Sequence, residues 1–197
     1  MFNKPLHYTQ LKKEDFTTFS DKSYPDFRTI YKIKTPEKKP YLIYLEEYGE
    51  IYFFIKFFPS KHISNPNKFK LRTGENAKIL PTRILATCLV IMVENIKKNP
   101  NVCFGVYGQW DEKDVVNQSK DSQRYRIWLR IATSKIDGEK FKFLYDSNFN
   151  SFLIVPKHIY SIDFKKQTQN YFIERFKSTL NELPIPSIED YKTIQFR

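Results

Sequence analysis

Glycine is scarce in this chain, with 5 residues in 197. A glycine loop that cradles phosphate needs several glycines close together, and here they are scattered. Cysteine is scarcer still. Cys88 and Cys103 each sit in an apolar run, too few for a disulfide scaffold and without metal-ligand spacing. Both read as small buried hydrophobes, which suits a reducing cytoplasm. Histidine is limited to His7, His62 and His158, far apart in sequence. With no His/Cys cluster and no nucleophile elbow, no catalytic residue, metal ligand or cofactor is assigned, and the reading leans away from an enzyme. Long hydrophobic runs are missing too. The longest, residues 84–93, is broken by Thr87 and is far short of the roughly 20 residues that span a bilayer. The start, Met1-Phe2-Asn3-Lys4-Pro5-Leu6-His7, does not read as a signal peptide, because no apolar core follows the charge.

What the chain has is positive charge and aromatic rings. Lys and Arg number 33 against 22 Asp and Glu, a formal net charge of +11. That balance favours polyanionic partners, nucleic acid or an acidic protein, although an AT-rich coding bias would also produce it. Eighteen Phe, 13 Tyr and 2 Trp exclude a disordered chain and demand a core. The length suits one domain over residues 1–197.

Along the chain, residues 1–25 are mixed and polar and read as a flexible segment. Strands are expected at 27–34, 41–48 and 50–58, the last two forming a hairpin around Gly49. The strand at 50–58 is apolar on both faces, so it reads as central, with helices over one face and further chain over the other. A long polar loop at 59–78 follows. Between residues 56 and 83 there are seven Lys or Arg and one acid, Glu75, the most basic stretch of the sequence. Pro81 opens a helix to about Lys98, with Leu85, Cys88, Leu89, Met92, Val93 and Ile96 on its apolar face and Arg83, Thr87, Glu94 and Lys97 opposite. A strand is expected at 102–107 and a second helix at 121–136, with Tyr125, Trp128, Leu129, Ala132 and Ile136 inward. A hairpin joins 140–145 to 152–155, and a last helix covers 164–183. The fold class is α+β: a mostly antiparallel sheet of about five or six strands with three packed helices.

The candidate binding residues are basic. Lys61, Lys68, Lys70 and Arg72 lie in the loop, and Arg124, Arg126 and Arg130 on the second helix. Arginine suits phosphate or carboxylate because its planar fork makes paired hydrogen bonds. Phe69, Tyr107 and Trp110 are candidate stacking surfaces for a single strand. The acidic cluster Asp111, Glu112 and Asp114 fits no calcium-loop spacing. A composite enzyme site around Asp111, Glu112 and His158 is the weakest of the readings.

The order of elements carries one resemblance. A long helix with Thr82 and Thr87 is followed by Asn99-Pro100, then by Gly105-Val106-Tyr107-Gly108. The run Arg124-Tyr125-Arg126 opens a second helix, and the hairpin bears Phe152-Leu153-Ile154-Val155. Over about residues 77–156 this resembles small bacterial domains of unknown function, some carried on mobile elements; residues 109–120 depart from the pattern. The resemblance implies a phage, toxin–antitoxin or defence setting and supplies no catalytic residues. The function expected is therefore a non-enzymatic binding protein that engages nucleic acid or an acidic protein through a basic surface. The alternative is a protein-interaction or structural component of a phage or mobile element, without nucleic-acid binding and with no membrane association.

Overall fold

Tyr41–Tyr48 and Tyr52–Pro59, strands β3 and β4, are rich in Tyr, Phe, Ile and Leu on both faces. Such strands are stable only where both sides are covered, so they belong at the centre of a sheet. The computed structural model describes residues 4–36, 39–66, 68, 80–107, 123–146 and 151–176. The other strands are β1 (Tyr8–Asp15), β2 (Phe27–Ile33), β5 (Cys103–Tyr107), β6 (Phe141–Asp146) and β7 (Ser151–Pro156). The helices are α1 (Leu80–Lys98), α2 (Gln123–Lys135) and α3 (Ile162–Arg175), with a 3-10 turn at Ser60–His62. The fold is α+β, an open seven-stranded sheet in the order β1-β2-β3-β4-β5-β7-β6. Every pairing is antiparallel except β4 with β5, which α1 connects.

The central placing of β4 agrees with its composition. The seventh strand is β1, in the segment read from sequence as flexible. Its residues are almost all exposed or half-buried, because it is an edge strand. An edge strand lacks the apolar alternation that marks a strand in sequence, and its charges discourage pairing with other chains. Further hydrogen bonds tie this segment down. The Leu6 amide donates to Thr87 Oγ1 at 2.8 Å, Arg83 Nε donates to the Lys4 carbonyl at 3.1 Å, and the Tyr8 hydroxyl donates to Glu94 at 2.6 Å. Thr87, placed on the outer face of α1 by periodicity, is therefore fully buried, while Val93 is exposed.

The two faces of the sheet are covered differently. On the first, α1 and α2 pack over Ile33, Ile43, Leu45, Ile55, Phe104, Val106 and Ile154 in the main core. On the second, α3 covers Tyr48, Tyr52, Leu144, Leu153 and Val155. The chain expected to cover the second face is thus a helix over part of its area. Helix α3 starts two residues before its expected start, because the Ser161 hydroxyl caps it by accepting from the Phe164 amide at 2.9 Å. It is described to Arg175, and residues 177–183 lie outside the described residues.

Gly105 of β5 sits opposite Phe54 in the parallel pair. A Cβ there would come within 2.2 Å of the Phe54 ring. That ring cannot swing away, since it is wedged at 5.5 Å from both the Tyr48 and Phe172 rings. Gly105→Ala is expected to destabilise the fold by about 1–3 kcal/mol through overpacking. Gly138→Ala, where a Cβ meets nothing within 4 Å, should stay within about 0.5 kcal/mol of the parent. Urea denaturation of the two variants checks the contrast.

Candidate functional site

Among the described residues, the basic residues singled out by sequence fall on separate elements. Lys61 is exposed in the 3-10 turn after β4. Lys68 is half-buried, and its ammonium donates to the Ile63 carbonyl at 2.8 Å and lies 5.2 Å from the Phe58 ring centre and 5.9 Å from that of Tyr44. Burial, helped by the Arg28 charge, lowers its pKa. Lys68 is thus engaged against the second sheet face. Arg126 and Arg130 are exposed on α2, over the first face. Lys70 and Arg72 lie outside the described residues, as does the side chain of Arg124, whose backbone opens α2. Among those described, Arg126 and Arg130 lie one turn apart on α2 and are both exposed.

The expected stacking residues Phe69 and Trp110 and the side chain of Tyr107 also lie outside the described residues, as do Asp111, Glu112 and Asp114. His158 is exposed, with Nε2 at 2.9 Å from Asn101 Oδ1. Cys103 is pushed up to about 12 by burial, and burial raises Cys88 as well, so neither thiol is poised as a nucleophile. Among the described residues no group of His, Cys, Asp and Glu is placed to hold a metal ion, and no helix is long and apolar enough to cross a membrane.

Two charged clusters on the second face escaped the sequence reading. The first is a ladder across three strands, with Glu14 opposite Arg28 and Arg28 opposite Glu46. Glu46 is 2% exposed. It accepts from Arg28 Nε at 3.1 Å and Nη2 at 2.9 Å, from Lys56 Nζ at 2.6 Å and from the Tyr48 hydroxyl at 3.2 Å. Burial alone would raise its pKa, but the two cations more than offset this and hold the carboxyl below the usual glutamate range. The sequence did carry a signal. Glu46 and Lys56 are the charges that interrupt apolar residues on one face of the adjacent strands β3 and β4.

The second cluster is a clasp between the β1–β2 loop and the end of α3. Arg175, its side chain 10% exposed, donates to the Tyr171 hydroxyl, the Tyr24 carbonyl and Asp26 Oδ1, each at 2.7 Å. Its Nε is buried without a hydrogen-bond partner. Asp26 also accepts from the amide of Gly49, whose φ of +61° suits glycine in the β3–β4 turn. Beside the clasp runs an open groove of about 560 Å³ lined by Lys22, Gln167, Asn170, Tyr171, Glu174 and Arg175. The α3 residues among them recur at helical spacing along one face. On the loop whose Tyr24 carbonyl meets Arg175, the rings of Phe16, Phe19 and Tyr24 pack at 5.2–5.8 Å, with Phe19 44% and Tyr24 43% exposed.

No protein-family model, curated protein or solved structure matches the chain.

The Glu46 ladder makes a stability prediction. Because the folded pKa is depressed, its contribution is present above the ordinary glutamate pKa and is lost as pH falls through that range. Glu46→Gln should be less stable than the parent at neutral pH, with the gap narrowing below about pH 4. Arg28→Ala should cost about 3 kcal/mol at pH 7, since it leaves a buried carboxylate short of a partner. Denaturant titrations at several pH values give both readings; parallel curves for parent and Glu46→Gln would refute the first.

Proposed function

We propose that the chain is a non-enzymatic binding protein that engages a polyanion, nucleic acid in the first instance, through the outer face of α2. The observation that carries this is the composition of that helix, QRYRIWLRIATSK, which has four cations and no carboxylate. Its apolar side is committed to the core through Tyr125, Trp128, Ile131 and Ala132, and Arg126 and Arg130 are exposed on its surface. Like charges at this spacing cost an isolated helix about 0.2–0.5 kcal/mol. A phosphate backbone supplies the opposite charge, and each arginine can meet it with a paired hydrogen bond. Lys61, Lys70, Arg72 and Arg124 are candidates to extend the basic surface. Lys68, held against Tyr44 and Phe58, contributes least to this reading.

An acidic protein surface offers similar charge, and it is the form of the reading left if nucleic acid does not bind. The two reduced cysteines suit a reducing cytoplasmic setting.

Fluorescence anisotropy with labelled duplex and single strands, at salt from 50 to 200 mM, tests the proposal. Binding should weaken steeply with salt, because each phosphate contact releases counterions. The double variant Arg126→Ala/Arg130→Ala should reduce the log–log salt slope by about two. An unchanged slope removes α2 from the interface, and no retention of any strand at low salt removes the nucleic-acid form.

A further inference from the structure

We infer that the groove between the β1–β2 loop and α3 is a binding site for a nucleotide whose base carries an exocyclic amino group. This site is separate from α2, since α3 packs on the opposite face of the sheet. The volume of about 560 Å³ lies within the range of small-molecule sites. Its lining combines the three chemistries that a nucleotide needs. Gln167 and Asn170, one turn apart and both exposed, present planar amides that can donate and accept together, the pairing that suits the edge of adenine. Glu174, a further turn along, is an acceptor for an amino group such as that of cytosine. Lys22, on the loop side, supplies a cation for phosphate.

Tyr171 lines the groove as a fixed wall: its ring stacks on Tyr52 at 5.2 Å, lies 5.7 Å from the Arg175 guanidinium, and its hydroxyl accepts from Arg175 at 2.7 Å. The exposed rings on the loop are Tyr24, whose carbonyl accepts from the groove-lining Arg175, and Phe19, 5.4 Å from it, and every base has a face that stacks on such rings. The clasp makes these walls rigid relative to each other. Arg175 joins helix to loop through Asp26 and the Tyr24 carbonyl, and its guanidinium stacks 4.9 Å from the Tyr48 ring of the sheet. A site with its walls pre-positioned loses little ordering free energy on binding.

The same chemistry is offered by a free mononucleotide and by an unstacked nucleotide within a strand, so the test has an arm for each. AMP, CMP, UMP and ribose 5-phosphate are titrated against the full chain by saturation-transfer NMR and calorimetry, alongside a short oligo(dA) and an oligo(dT). AMP and CMP should bind about tenfold or more tightly than UMP, the discrimination that one good paired contact provides, and ribose 5-phosphate should bind more weakly than any of the three. Binding by AMP identifies the free nucleotide as the source, and binding by oligo(dA) over oligo(dT) without AMP identifies the strand. Asn170→Ala and Glu174→Gln should erase the preference, and Tyr24→Ala should weaken all binding. These groups are on the surface, and unchanged circular dichroism will separate lost binding from lost folding. The double variant Arg126→Ala/Arg130→Ala should keep the preference, so failure at α2 and failure at the groove are read independently. No saturable binding of AMP, CMP or oligo(dA), equal binding of AMP and UMP, or a preference that survives Asn170→Ala and Glu174→Gln would each overturn the inference.

Discussion

Two adjacent strands that are apolar on both faces impose the main constraint on this molecule. Ile43, Leu45, Ile55 and Phe57 point one way from β3 and β4, and Leu42, Tyr44, Tyr52, Phe54 and Phe58 point the other. Neither face can be left to water, because each large side chain contributes about 1.5–3 kcal/mol only when buried. The remaining elements follow from this. Helices α1 and α2 close the first face, α3 closes part of the second, and polar β1 is left for the edge. The fit is close enough that one position, Gly105, has room for no side chain under the Phe54 ring.

The second face solves a further problem, which is how to place charge on a sheet that is otherwise apolar there. Glu46 is buried, but it meets two cations and a tyrosine hydroxyl, and Glu14 extends the ladder to the edge strand. Removing one partner from such a network leaves an uncompensated charge, whereas the whole set is close to neutral in its effect. Arg175 works in the same manner at the mouth of the groove, joining α3 to the β1–β2 loop through Asp26. Several of the cations that make the chain basic are therefore internal fasteners. Net charge alone overstates how much of the surface is free to meet a polyanion.

Burial patterning made much of the fold legible. The hairpin about Gly49, the central place of β4, the α1 core through Leu85, Cys88 and Met92, and the β6–β7 hairpin all rest on apolar periodicity, which acts locally. β1 was not legible, because Tyr-Thr-Gln-Leu-Lys-Lys-Glu-Asp carries no such period. Thr87 was misplaced for a related reason. Its helical phase puts it outward unless another segment lies there, and residues 4–8 do.

The candidate sites divide along the same line. Arg126 and Arg130 could be paired from sequence, since four residues along one helix fixes their geometry. Lys68 could not be told apart from them, because its contact with Tyr44 and Phe58 depends on how the chain returns over β4. The groove draws on Lys22 and on residues 167–175, almost 150 positions apart, and no local pattern links them. The amino-acid sequence by itself determined an α+β core, its central strands, an arginine-bearing helix and the positive balance. Tertiary structure alone decided which cations became internal partners, which remained outside, and that a loop and a helix end meet around Arg175. Local periodicity reports how a segment faces its own neighbours, while ion pairs and grooves are made between segments that only chain closure brings together.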